Sequence, residues 1–187
     1  PMYILHLFLV ISIMKISFIN CQRGLRGKID TLEAYLHQEN VSILGISEVD
    51  LDPFELPPVV KGYTFITNAI KEPNDSIRAC TYIRDDIQYK ELSYDGEIPC
   101  TIFTTERTTF VTLYSEFTKA AYTKLKSKLS DKERTMRIID LMNWVIQRSR
   151  NNLVVGGDFN INVLENTTSS VKLRNWCSEH GLTQVIK

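Results

Sequence analysis

A mixed α/β fold, one domain in which sheet and helix form layers, is what the sequence predicts. Three observations carry that reading. Short β-branched and apolar runs alternate with amphipathic helical stretches toward both ends of the chain. In the middle, consecutive strands joined by short turns demand antiparallel pairing, which rules out a purely parallel, doubly wound sheet. The 187 residues are 43% hydrophobic, 10% aromatic and 24% charged, which suits a globular core and excludes disordered, collagen-like and coiled-coil chains.

Taken in order, Pro1 to Ile13 reads as an upstream apolar extension. It has no basic n-region or small-residue cleavage site and is too short to span a bilayer, although a targeting role is its alternative. Ile16 to Ile19 is a short strand ending in a glycine-bearing loop from Asn20 to Gly27. Asp30 to Glu39 is a helix with Leu32 and Leu36 on one face, and Val41 to Ile46 is a strand buried on both faces. A proline-bearing loop from Asp52 to Pro58 precedes strands at 62–67, 79–84 and 87–92, the last two joined by an Asp85-Asp86 hairpin turn. A second hairpin turns at Glu106-Arg107, between strands at 102–105 and 108–114. Then come a helix at 131–149, a buried strand at 153–156, a helix at 169–180 stopped by Gly181, and a closing strand at 182–186.

Charge narrows the partners. The 22 basic and 22 acidic residues cancel, so a constitutively polybasic clamp is excluded while a local patch is not. Such a patch lies between Lys119 and Arg150, where nine Lys or Arg meet three acids. It could contact a phosphate backbone, and a solvated helix face would account for part of it. The four cysteines (Cys21, Cys80, Cys100, Cys177) form no CxxC pair, so they read as reduced thiols rather than a disulfide scaffold or zinc site.

The chemistry gathers at strand ends. Asn20, Glu48, Asp158 and Asn160 each follow an apolar run. Carboxylates and amides of this kind suit Mg²⁺ or Mn²⁺, which is commonly held by one or two carboxylates together with substrate phosphate. Alternation through Asp158-Phe159-Asn160 would put the two polar side chains on one side, and Gly156-Gly157 permits close backbone approach. Singly, each of these residues also fits a simple turn. Together they point to a site.

Gly157-Asp158-Phe159-Asn160 after an apolar strand resembles the GDFN motif of the endonuclease/exonuclease/phosphatase superfamily. Ser47-Glu48 resembles that superfamily's metal-binding glutamate, and Asn20-Cys21-Gln22-Arg23-Gly24-Leu25 its opening asparagine motif as found in non-LTR retrotransposons. Arg78 to Arg84, Leu113-Tyr114 and the stretch from Leu173 to Val185 fit the apurinic-like endonuclease domain of those elements' reverse-transcriptase polyproteins. The resemblance runs from about residue 15 to the end of the chain. It implies a DNase I-like four-layer αββα sandwich, with two mixed, mostly antiparallel sheets flanked by helices.

The resemblance also implies roles. Glu48 would bind the Mg²⁺ (or Mn²⁺), with Asn20 supporting it through hydrogen bonds. Asp158 would activate the attacking water, Asn160 would hold the phosphate or orient Asp158, and Tyr114 would touch the scissile phosphate. Apart from the resemblance, Arg23 and, from the basic stretch, Lys124, Lys126 and Lys128 are expected to contact DNA. The implied partners are DNA and a larger polyprotein carrying the reverse transcriptase, with no membrane, and the implied location is intracellular, nuclear when acting on DNA. Two departures stand out. Ser115-Glu116-Phe117 replaces the family's proline and asparagine after the tyrosine. In addition, no residue matches the closing Asp and Ser-Asp-His elements, and His6, His37 and His180 do not fill that place. The expectation is a DNA-nicking phosphodiesterase domain of about residues 14–187, missing its closing strands and weakly active alone. Another phosphodiesterase or phosphatase of the superfamily, or a non-catalytic nucleic-acid-binding module, are the alternatives.

Overall fold

The computed structural model describes residues 4–5, 14–22, 24–67, 76–116, 129–149 and 151–185. Five strands form the first sheet: β1 (Ile4–Leu5), β2 (Ile16–Asn20), β3 (Ile43–Leu51), β4 (Tyr63–Thr67) and β5 (Ile77–Arg84), in the order β1-β2-β3-β5-β4. Four form the second: β6 (Lys90–Glu91), β7 (Cys100–Thr104), β8 (Thr108–Tyr114) and β9 (Asn152–Asp158), in chain order. Helix α1 (Ile29–Gln38) covers the first sheet; α2 (Asp131–Arg148) and α3 (Thr168–Glu179) cover the second. The expected four-layer αββα sandwich is what the chain adopts.

Each sheet is antiparallel except at one pair, β2 with β3 and β8 with β9. A parallel pair needs a crossover, and here α1 and α2 supply them. The consequence for function is geometric. Both members of a parallel pair end at the same edge, so Asn20 lies beside Ser47 in one sheet and Tyr114 beside Asp158 in the other.

Three cores hold the layers together. Leu32 and Leu36 of α1 pack on Leu44 and Ile46, while Ile138, Met142 and Val145 of α2 pack on Val111 and Leu113. Between the sheets lie Ile16, Phe18, Ile43, Phe103, Phe110 and Val154. The Phe103 and Phe110 rings stack there with centroids 5.0 Å apart. Within this layer the Thr81 hydroxyl meets those of Thr101 at 2.6 Å and Thr112 at 2.9 Å. Phe18 lies where neither its neighbour in the same sheet, Gly45, nor Gly156 across the sandwich carries a side chain. A Cβ on Gly45 would stand 2.5 Å from its ring, and one on Gly156 2.3 Å.

Helix α2 starts at a capping box in which the Ser130 hydroxyl accepts from the Glu133 amide and the Glu133 carboxylate receives the Ser130 amide. All four cysteines are free thiols, and burial pushes Cys21 up to about 11. No helix among the described residues is long and apolar enough to cross a membrane.

Several sequence expectations change. Asp85-Asp86 does turn the chain, with the Ile87 amide on the Arg84 carbonyl, but no hairpin follows. Both edges of β5 are taken by β3 and β4, so the chain crosses to the other sheet, where only Lys90–Glu91 pairs with β7. The closing strand over 182–186 does not form across its described part. Leu182 instead donates its amide to Cys177 and packs beneath α3, ending that helix. Ile4–Leu5, placed in an upstream extension, pairs with Ile19 and Phe18; the rest of that extension lies outside the described residues. Within the basic stretch, Arg134 is buried against Asp131 and the Leu129 carbonyl, and Arg137 pairs with Glu97 at 2.6 Å. Those two charges serve the fold.

Candidate active site

The ends of the two parallel pairs face each other across the sandwich. The Asn20 amide donates from one sheet to Asp158 Oδ2 of the other at 2.7 Å, and its own carbonyl oxygen accepts the Gln22 amide at 2.7 Å. Asp158 Oδ1 accepts the Asn160 backbone amide at 3.0 Å. The Asn160 side chain donates to the Ser115 carbonyl at 2.7 Å, while the Ser115 amide reaches the Asp158 carbonyl at 2.8 Å. Asp158 is thus oriented from two sides, by Asn20 across the sandwich and by its own loop.

Asn160 reaches this position by a turn rather than by strand alternation. β9 ends at Asp158, and Asn160 takes φ +49°, a left-handed conformation that asparagine tolerates. Phe159 packs away into the core beneath α2 and α3. Gly157 takes φ +120° with its Cα against the Leu113 backbone, and a Cβ there would stand 2.1 Å from the Leu113 carbonyl oxygen. Only glycine fits.

Glu48 stands on a bulge. Ser47 pairs with Ala79 and Leu51 with Ile77, so Glu48, Val49 and Asp50 face the single residue Arg78. Glu48 has φ +56° and Asp50 φ +46°. Of the five non-glycine residues with positive φ among those described, four (Gln22, Glu48, Asp50, Asn160) lie at this edge, the pattern of backbone strain concentrated at a functional site. Glu48 is half-buried, and among the described residues no hydrogen-bond or ion-pair partner meets its carboxylate.

Burial, the largest influence, raises the Asp158 carboxyl above its ordinary value; the Glu48 charge pushes the same way, against the hydrogen bonds from Asn160 and Asn20. Tyr114 is buried, and its phenol is likewise raised by burial, while Arg78 pulls it back and Glu48 and Glu116 add to the rise. The structure therefore brings together Asn20, Glu48, Tyr114, Asp158 and Asn160. Asn20 differs from expectation in its partner: its amide holds Asp158, not Glu48. Arg23, Lys124, Lys126 and Lys128 lie outside the described residues, as does His6. His37 sits against Glu33 and Tyr63, and His180 stacks on Trp176, so both are engaged elsewhere.

Arg78 is the residue that sequence reasoning missed. Its guanidinium pairs with Asp50, lies 4.7 Å from the Tyr114 ring centre, and has Nε 3.6 Å from Glu116. The sequence offered no signal for its role, because Asp50, Glu116 and Tyr114 come beside it only in the folded chain.

As a place for a divalent ion, the edge offers hard oxygen donors: the uncommitted Glu48 carboxylate, with Asp158 near enough to feel its charge. No cluster of three His, Cys, Asp or Glu occurs among the described residues. One or two carboxylates plus substrate phosphate is the usual Mg²⁺ complement, so the residues present fit.

No protein-family model matches the chain, and no curated protein does. Solved structures do. The endonuclease domain of TRAS1, a telomere-specific non-LTR retrotransposon, superposes with a TM-score of 0.65 at 15% identity, over 100% of this chain and 76% of that one. An AP endonuclease from Archaeoglobus fulgidus gives 0.59 at 12%, over 89% and 70%. An endonuclease/exonuclease/phosphatase family protein from Bacteroides thetaiotaomicron gives 0.57 at 12%, over 84% and 67%.

Proposed function

We propose that this chain, which has the fold of the endonuclease/exonuclease/phosphatase superfamily, is a divalent-metal-dependent phosphodiesterase that nicks DNA. The observation that carries the reading is the convergence of two sheets on one carboxylate: Asn20 reaches across the sandwich to Asp158, beside an uncommitted Glu48. Mg²⁺ or Mn²⁺ held by Glu48 would polarise a phosphoryl oxygen of the substrate.

The chain's own residues divide the remaining work. Each Asp158 oxygen accepts one hydrogen bond and keeps a lone pair free for a water proton. Its raised affinity for protons makes it a better base than an exposed aspartate. The Tyr114 hydroxyl, protonated at neutral pH like any phenol, can donate to a non-bridging phosphate oxygen. Asn160, anchored on Ser115, holds Asp158 and offers its second amide hydrogen to the phosphate. Contact with the DNA backbone is assigned to Arg23, Lys124, Lys126 and Lys128, and the biological role to target-DNA nicking in retrotransposition, with a reverse transcriptase as polyprotein partner and the nucleus as the place of action.

A supercoiled-plasmid assay tests this. In Mg²⁺ the chain is expected to nick slowly, since neither described histidine is placed to assist. Asp158→Asn or Glu48→Ala should abolish the nicking, as should EDTA. Nicking that persists in EDTA or in both variants refutes the reading. Robust nicking abolished by Glu48→Ala refutes only the expected slowness.

A further inference from the structure

We infer that Arg78 is a positioning residue, one that holds the Glu48 bulge and the Tyr114 ring so that both face Asp158. The assignment rests on the metal-dependent reading above and deepens it.

Three observations converge on Arg78. First, it is the single β5 residue opposite the three-residue bulge that carries Glu48. Bulges re-aim side chains, and what fixes this one on its β5 side is the ion pair between Arg78 and Asp50. On its other side the Leu25 amide holds the Val49 carbonyl at 3.0 Å, so the bulge is gripped from both neighbours. Second, the guanidinium lies 4.7 Å from the centre of the Tyr114 ring, which belongs to the other sheet. One planar side chain therefore spans both sheets at the edge where the polar groups meet, a geometry open to arginine and not to lysine. Third, its charge is directed away from a substrate role. Asp50 and Glu116 flank it, and Glu48 acts on the same tyrosine. An arginine balanced by acids orders its neighbours rather than receiving phosphate.

The consequence has a distinctive sign. Removing a cation beside an acidic pocket should tighten cation binding by charge alone. A positioning role predicts the opposite. Mn²⁺ affinity of the 187-residue chain, read by titration calorimetry, should fall about tenfold in Arg78→Met, as it does when the outer partners of a metal site are lost. Arg78→Lys, which keeps the charge on Asp50, should recover part of it. In native-state hydrogen exchange by NMR, the amides of residues 48–50 should exchange faster in Arg78→Met, while those of residues 80–83 in the middle of β5 keep their rates. Unchanged exchange at 48–50, or Mn²⁺ bound as tightly as by wild type, overturns the assignment. If wild type binds no Mn²⁺, the metal reading falls, and the exchange comparison still decides the role of Arg78.

Discussion

Gly156→Ala should loosen the protein and its candidate site together. Gly156 lies two residues before Asp158, and Phe18 two residues before Asn20. The close contact between Phe18 and Gly156 therefore sets the separation at which Asn20 reaches Asp158. A Cβ at position 156 would stand 2.3–2.4 Å from three atoms of the Phe18 ring, more than 1 Å inside the roughly 3.5–4.0 Å of carbon–carbon contact. The ring has little room to swing aside, because Phe18 is 3% exposed and also packs against Gly45 of the neighbouring strand. Overpacking of this kind costs about 1–3 kcal/mol. With a urea dependence of about 2 kcal/mol per molar, that is a midpoint shift of roughly 0.5–1.5 M. The same strain pries the sheets apart at the Asn20–Asp158 hydrogen bond. The control is Phe18→Leu, which makes room: the double variant should be more stable than the sum of the two single effects by about 1 kcal/mol or more, measured by urea unfolding. A wild-type midpoint in Gly156→Ala, or strict additivity with Phe18→Leu, refutes the reasoning.

Two further outcomes follow from the same layer and edge. Thr81→Val should cost about 1–3 kcal/mol in urea unfolding, because the buried hydroxyls of Thr101 and Thr112 lose their shared partner; a neutral result would mean they re-pair. Asp158 takes up its proton more readily folded than unfolded, so its contribution to stability is present at low pH and lost as pH rises through its raised folded value. With divalent ions removed, the stability of wild type relative to Asp158→Asn should therefore fall as pH rises above the ordinary aspartate value of about 3.9, and a rising difference would reverse the assigned direction.

Much was legible in the one-dimensional pattern. Buried strands and amphipathic helices announce themselves by period, so α1, α2, α3 and β9 were readable within a few residues, while β3 runs to Leu51, five residues past the expected end at Ile46. The polar residues at their ends were readable too, because an apolar run that stops in Asn, Glu or Asp is visible in a string. The sequence alone determined that Asn20 and Asp158 would close strands and that the sheets could not be purely parallel, whereas Glu48, expected past the end of a strand over 41–46, lies inside β3 on a bulge.

Tertiary structure decided the rest. Asp85-Asp86 has hairpin chemistry, yet the occupied edges of β5 sent the chain to another sheet, a matter of long-range competition for hydrogen bonds. Leu182 to Val185 has strand propensity, yet Leu182 is held beneath α3. That Asn20 serves Asp158 from 138 residues away, and that Arg78 spans the bulge and Tyr114, depends on how closely two sheets pack on Phe18. Side-chain type and period are local properties. Which edge faces which, and at what distance, is a property of the packed whole.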